Sequence, residues 1–333
     1  MNRRAVLALA LAAAVLRPAT ARAEVSEIAV AQQFGISFMP LMLMEHARLI
    51  EKHAVRLGLP EPKVTWPKLA GPSNLNEGLI SGALHFTAGG VPSLGLLWER
   101  TRTSVGLKGV VAICSYPLYL NTRNPNVKSV EDFTDKDKIA VPSVKVSTQA
   151  IMLQMQAEKV FGPGKHTALD HLTVSLAHPD AMAALLSGTE VTAHFASSPF
   201  HEAEIKVPGI HTILKSYDIL GGQATAAVLV TSERFRAANP KTYEAVVAAV
   251  REAIDTLNAD KRAAAELYVR LARPRNSVDE IFDMMSDPDF AYTPTPQKVG
   301  KTVQFMHHVG LMKTSPASWK DLFFPEAHNL PGD

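Results

Sequence analysis

Apolar positions along this chain fall into two alternating rhythms, short unbroken runs and runs spaced at three and four, and together they predict a series of strands and helices. Glu24 to Ala31 reads as a first strand. The loop Gln32 to Ser37 then leads into a helix opened by Ser37 and Pro40, which carries Met42, Leu43, His46, Leu49, Ile50 and Val55 as far as Gly58. Val64 to Leu69 is a second strand. After the turn Gly71-Pro72-Ser73-Asn74, the three-residue spacing of Asn74 and Glu77 is that of a capping box, with Leu75, Leu79 and Ile80 on one apolar face and Gly82 as the left-handed stop. Ala83 to Ala88 is a buried strand, and past Gly89-Gly90 a further helix opens near Pro92-Ser93. Val110 to Leu120, interrupted only by Pro117, reads as a strand pair leaving this first half.

The second half repeats the alternation. Ser129 to Phe133 is a short helix and Lys138 to Val141 a strand, after which Ser147-Thr148 opens a helix carrying Ile151, Met152 and Met155. Ala193 to Phe195 closes another strand, Ser197-Ser198-Pro199 begins a helix, and Ile210 to Leu214 and Ala224 to Thr231 are strands, the last returning to the first half. The tail is helical over Lys241 to Ala272, Ser277 to Ser286 and Pro296 to Met312. Leu79-Ile80-Ser81-Gly82 leading to His85-Phe86 is echoed by Leu185-Leu186-Ser187-Gly188 leading to His194-Phe195, about a hundred residues later, as equivalent places in two similar lobes would be. Strands alternating with helices indicate an α/β class with mostly parallel pairing. The expected division is residues 24–118 and 222–333 for lobe 1 and 119–221 for lobe 2, with the crossovers near Tyr116–Leu120 and Gly221–Thr225 as the only covalent links.

The first 23 residues read differently. Arg3-Arg4, the apolar run Ala5 to Leu16 and the Ala21-Arg22-Ala23 site are the parts of a cleavable secretory signal, with both the general and the twin-arginine export routes open. The expected location is therefore the periplasm. Cleavage also changes the charge: Arg3, Arg4, Arg17 and Arg22 leave with no acid, which takes the formal +2 to −2 and removes the case for a nucleic-acid or membrane surface. The remaining length of about 310 residues suits two lobes, and the single cysteine, Cys114, has no partner for a disulfide within the chain and is read as a small packing residue.

Catalytic and metal signatures do not complete. His201-Glu202 is followed at the fourth place by Ile205 and not by histidine, Gly162-Pro163-Gly164-Lys165 lacks the upstream glycine of a phosphate loop, and no G-x-S-x-G elbow occurs. The twelve histidines are scattered, and only His194 stands out as a ligand contact. No metal or cofactor is expected. The helix starts at Ser73-Asn74 and Ser147-Thr148 carry free N–H groups and a partial positive charge suited to an anion, each favouring it by about 0.3–1 kcal/mol. Gly89-Gly90 allows backbone donors to approach a ligand, and Phe34, Phe38 and Phe195 offer walls for an apolar body. No arginine lies in the candidate loops and Lys145 is the only cation nearby, so dipoles and hydroxyls are expected to do the recognition.

The Gly71-Pro72 turn and its helix, Gly82-x-x-x-Phe86 before Gly89-Gly90, Asp132-Phe133 leading to Ile139-Ala140-Val141-Pro142, Ser147-Thr148, and Pro199 to Glu204 after Phe195 together resemble, over nearly the whole chain, the substrate-binding proteins of nitrate/sulfonate/taurine-type ABC importers. His85 stands where relatives often carry Asp, and Ser198-Pro199 where many carry Asp-Pro. The resemblance implies a type II periplasmic-binding fold of two α/β lobes joined by crossover strands. It also implies a small, anionic ligand held in the cleft and delivered to an ABC permease of the inner membrane by a monomer. The ligand-binding set expected is Phe34, Gly35, Ser37, Ser73, Asn74, Ala88, Gly89, Gly90, Ser147, Thr148, His194, Phe195 and Ser197. Two other classes stay open. One is an enzyme on the same fold, resembling the fungal thiamine-pyrimidine synthases, whose cysteine-rich motif this chain lacks. The other is a ligand-loaded partner of a chemoreceptor.

Overall fold

The computed structural model describes residues 23–333; the signal segment lies outside the described residues except for Ala23. The chain starts with β1 (Glu27–Ala31), which passes through a single 3-10 turn into α1 (Met39–His46) and α2 (Leu49–Arg56). The sequence predicts one helix here, but Arg48 adopts a left-handed conformation (φ 51°) and divides it. β2 (Lys63–Thr65), α3 (Pro72–Ser81), β3 (Phe86–Gly89), α4 (Val91–Thr101) and β4 (Leu107–Ser115) complete the first run. β5 (Tyr119–Thr122), β6 (Ile139–Val141), α5 (Thr148–Phe161), β7 (Thr173–Ser175), α6 (His178–Ser187), β8 (Ala193–Ala196), α7 (Phe200–Ile205), β9 (His211–Lys215) and α8 (Ser216–Leu220) form the second. β10 (Thr225–Ser232) then returns, followed by α9 (Glu233–Ala238), α10 (Pro240–Ala259), α11 (Lys261–Ala272), α12 (Val278–Ser286) and α13 (Val299–His308). The predicted Lys241–Ala272 helix is two helices, because Asp260 leaves helical geometry and caps α11 by accepting from the Ala263 N–H at 2.9 Å.

Two five-stranded sheets result, ordered β2-β1-β3-β10-β4 and β7-β6-β8-β5-β9. They are the same arrangement built twice. β1 lies between parallel partners β2 and β3, as β6 lies between β7 and β8. In each sheet the fourth strand is antiparallel and comes from elsewhere in the chain: β10 pairs with β3 and β4, and β5 pairs with β8 and β9. Pairing is thus evenly mixed, where the apolar runs predict mostly parallel pairing. The long strands β4 and β10 are buried nearly throughout and need no alternation of polar residues.

The echo is structural. α3 and α6 end on Gly82 and Gly188, both left-handed (φ 79° and 74°), and each leads to a strand whose phenylalanine, Phe86 or Phe195, is fully buried. The histidines diverge. His85 Nδ1 accepts from the Ala29 N–H at 2.9 Å at the strand entrance, whereas His194 lies inside β8.

Residues 116–118 and 221–224 connect the sheets. Between them, Leu118 N–H donates to Ser216 Oγ at 2.9 Å and Ser216 N–H donates back to the Leu118 carbonyl at 2.9 Å. The C-terminal segment buttresses this crossing through paired backbone bonds of Ala291 with Ser115, both 2.8 Å. Among the described residues no helix is long and apolar enough to cross a membrane.

Candidate functional site

Each parallel strand of the two sheets runs into a loop and then a helix, so helix N-termini collect along the seam between lobes. Four of them line one narrow cavity of about 40 Å³: α3 through Pro72, α4 through Gly90 and Ser93, α5 through Ser147, Thr148 and Gln149, and α6 through His178. Local sequence explains the helix starts. Pro72, Pro92 and Pro179 sit at the first or second helical position of α3, α4 and α6, where a missing N–H costs nothing. Ser147 caps α5, accepting from the Ala150 N–H at 3.3 Å while donating to the Ser143 carbonyl at 2.8 Å. Phe34, Ser37, Phe38, Tyr116 and Ser197 also line it, with Gln33, Leu118, Pro142, Val146 and Ala226 between them.

The lobes meet closely here. A methyl group on Gly90 would lie 1.9 Å from Thr148 Oγ1, and one on Gly71 would lie 2.4 Å from the Pro142 carbonyl oxygen. Only the absence of a side chain permits either approach. The Ile36 N–H also donates to the Ser198 carbonyl at 3.2 Å, tying the β1–α1 loop to the second lobe.

No carboxylate, lysine or arginine lines the cavity. Burial pushes the Tyr116 phenol well up, so it stays protonated, with the hydroxyls of Ser37 and Ser197 pulling the other way. His178 is held well below the usual histidine range by burial and by neighbouring His194. It begins a buried chain of hydrogen bonds leading away from the cavity. Glu204 Oε1 can only accept, so His194 donates from Nδ1 at 2.5 Å; His194 Nε2 then accepts from His178 Nδ1 at 2.8 Å, and His178 Nε2 accepts from Gln149 Nε2 at 3.2 Å. The second oxygen of Glu204 accepts from Asn121 Nδ2 at 2.7 Å, and Asn121 Oδ1 accepts from Thr212 Oγ1 at 2.8 Å and His201 Nδ1 at 3.1 Å. His194 and Glu204 are completely buried. Every donor points toward the one carboxylate, which fixes both the tautomer and the tilt of His178 at the cavity wall.

No family model matches this chain, and no curated protein matches it. Solved structures do. The alkanesulfonate-binding protein of Xanthomonas axonopodis pv. citri bound to MOPS superposes with a TM-score of 0.71 over 91% of this chain and 99% of its own, at 17% identity. The periplasmic nitrate-binding protein of Synechocystis PCC 6803 gives 0.68 over 90% and 84%, at 14% identity. A Candida albicans gene product described as having the generic periplasmic binding protein fold gives 0.67 over 90% and 96%, at 14% identity. The chain has the periplasmic-binding-protein fold.

Within that fold the residues singled out from sequence divide into three groups. Phe34, Ser37, Gly90, Ser147, Thr148 and Ser197 come together around the cavity. Gly35 is next to it, on the wall of a second chamber, and Ala88 touches it indirectly, its carbonyl accepting from Gln33 Nε2 at 3.4 Å. Ser73, Asn74, Gly89, His194 and Phe195 do not line it. The reasons are local. α3 begins at Pro72 with Gly71 as its cap, so no capping box forms at Asn74, which is exposed on the first turn. Gly90, not Ser73-Asn74, faces Thr148 across the seam. Phe195 points into the lobe core opposite Leu120, and His194 acts on the cavity only through His178. Lys145, exposed with φ 61°, does not reach the lining.

Sequence reasoning missed Gln33, Ser93, Tyr116, Gln149 and His178 as lining residues. Gln149 directly follows the flagged Ser147-Thr148 pair, and His178-Pro179-Asp180 carries a helix-start signature, so both had a readable signal.

Proposed function

We propose that this chain is an extracytoplasmic solute-binding protein that captures a small organic anion between its lobes and hands it to an ABC permease. One observation carries the anion: four helix N-termini converge on a cavity whose lining holds no carboxylate and no cation. Each N-terminus favours negative charge by about 0.3–1 kcal/mol, more where partly buried, and its free N–H groups are ready donors. Hydroxyls of Ser37, Thr148 and Ser197 and the Tyr116 phenol add donors, while Phe34 and Phe38 suit an apolar body. That the neighbours named above bind an alkanesulfonate and nitrate supports the same ligand class here.

The test is a thermal-shift panel on ligand-stripped protein, with methanesulfonate, taurine, nitrate, acetate and neutral pyrimidines, followed by calorimetric titration. A true ligand at a hundred times its Kd adds about 2.7 kcal/mol of stability. The expected result is saturable, one-to-one binding of at least one anion. If only neutral heterocycles bind, the anion reading is wrong.

A further inference from the structure

Gln149, the second residue of α5, lines the inner cavity and is only 6% exposed. A primary amide has a donor end and an acceptor end, and which end meets a ligand is decided by what holds the other. Here the decision is made deep in the second lobe. Glu204 as a carboxylate can only accept, so His194 carries its proton on Nδ1 and receives at Nε2, and His178 in turn donates from Nδ1 and receives at Nε2. Burial keeps His178 below the usual histidine range, so it holds no second proton with which to reverse this order. Its Nε2 lies 3.2 Å from the Gln149 side-chain nitrogen, and a lone pair there can face only the amide N–H. The Gln149 carbonyl oxygen is thereby turned the other way.

That oxygen accepts from no group among the described residues. Nor is it sealed in. Gln154 Oε1, further along α5, is a partnerless amide oxygen with no accessible surface, and Gln149 Oε1 differs from it in keeping some. On a residue this buried, at a cavity it lines, that surface is cavity surface. Helix ends and the hydroxyls of Ser37, Thr148 and Ser197 fill the same space with donors. An acceptor among them does not suit a bare anion, whose lone pairs it would meet with its own.

We propose that Gln149 Oε1 is a specificity-determining acceptor of this cavity, selecting organic anions that carry an N–H or O–H donor beside the charged group, and that Glu204, acting through His194 and His178, is the positioning residue that keeps it turned inward. This rests on the anion capture proposed above and sharpens it. A ligand with no donor leaves the carbonyl oxygen buried and unpaired, which costs it about tenfold in affinity against one that fills the place. The relay also specifies its own reversal. In Glu204→Gln, the Asn121 Nδ2 donor, 2.7 Å from the second carboxylate oxygen, holds the carbonyl of the introduced amide, so the introduced N–H faces His194. Each ring then carries its proton on Nε2 in place of Nδ1, His178 donates to Gln149, and Gln149 turns its N–H to the ligand.

The test is calorimetric titration at pH 7.5 of the whole mature protein, stripped of ligand, with two series that differ only at the end remote from the charge. One is 2-aminoethane-, 2-hydroxyethane- and 1-propanesulfonate; the other is 3-aminopropanoate, 3-hydroxypropanoate and butanoate. In the series that binds, the amino and hydroxy members should bind about tenfold tighter than the alkyl member. Gln149→Met, which keeps the length but has no carbonyl, should bring the three within about threefold of one another. Glu204→Gln should cost the amino member, which can only donate, at least about tenfold relative to the hydroxy member, which can also accept. A merely structural loss would lower both alike. Circular dichroism confirms that each variant is folded, and nitrogen-15 shifts of labelled histidine in the parent, where no substitution is needed, should place the His178 proton on Nδ1. An alkyl member that binds within about twofold of its donor-bearing counterparts, a His178 proton on Nε2, or a folded Glu204→Gln in which the amino and hydroxy members weaken together would overturn the assignment and leave anion capture standing. Binding by no member of either series would overturn both.

Discussion

His201 offers a direct check on the buried polar network, because its environment sets both the sign and the size of a pH effect. The ring is stacked on Tyr119 with centroids 3.8 Å apart and bonded to Asn121, and burial lowers its pKa from 6.5 to about 4. In the unfolded chain the ring titrates normally. Between those two values the unfolded state binds a proton that the folded state refuses, so stability rises with pH across this window. No penalty exists well above pH 6.5. It grows by up to about 1.4 kcal/mol per pH unit as pH falls, reaches about 2 kcal/mol near pH 5, and levels off at about 3 kcal/mol below pH 4. His178, lowered by burial in the same direction, steepens the fall. The assay is urea unfolding at pH 7.5, 6.5, 5.5 and 4.5 for the parent and for His201→Gln, which keeps a polar side chain but cannot titrate. Differences in stability between the two proteins isolate this one ring from all other groups. They should shift in favour of the variant by about 2.5 kcal/mol between pH 7.5 and pH 4.5. A difference that stays constant across the series would refute the reasoning, since it would mean that His201 is free to take up a proton in the folded state.

Other outcomes follow from the same contacts. His194→Ala leaves Glu204 buried without its imidazole donor and should cost about 3–5 kcal/mol in urea unfolding; a loss under 1 kcal/mol would mean that water replaces the ring. Thr148→Ala removes a hydroxyl from the cavity wall and should weaken an anionic ligand by about 1.5–3 kcal/mol in calorimetric titration, with little change in melting temperature. Gly90→Ala places a methyl group against Thr148 Oγ1 and should lower ligand affinity at least tenfold, with partial recovery in the Gly90→Ala/Thr148→Ala pair; equal losses in both would disprove the interlobe clash. With two short connections between the sheets, closure should be a hinge motion, visible in solution scattering as a smaller radius of gyration on adding a saturating ligand.

Much of this architecture could be read from the residues, and the failures have physical causes. Ser147 was legible as a cap because serine before an apolar periodic run has few other uses, and Gly82 and Gly188 as stops because left-handed geometry favours glycine. The breaks at Arg48 and Asp260 were not, since the apolar period continues across both and neither residue is a strong breaker. Strand direction was also hidden. Apolar runs report burial, whereas β5 and β10 run antiparallel because each inserts into its sheet after a crossing that joins the lobes. At the site, the loop chemistry around Phe34, Gly90 and Thr148 was visible. The partnership of His178 with His194 was not, because it joins a helix start to a strand sixteen residues away.

The convergence of helix ends follows from the topology and not from any special sequence. α3, α4, α5 and α6 follow β2, β3, β6 and β7, strands that lie parallel within their own sheets or run into the seam, so each chain segment leaves a strand's C-terminal end and turns into a helix there. Ligand sites of open α/β sheets occupy such places for that reason. What the sequence adds is the removal of competing charge. An arginine clamp would bind an anion more strongly, through a planar bidentate fork. Helix dipoles act over little more than their first turn. A charge must therefore be compact enough to lie near all four ends at once, which a narrow cavity enforces. The buried Glu204 sets a further condition. Through His194 it fixes His178 as an acceptor toward Gln149, so both ring nitrogens are bonded within the protein and the ring shapes the cavity wall without offering a free acceptor.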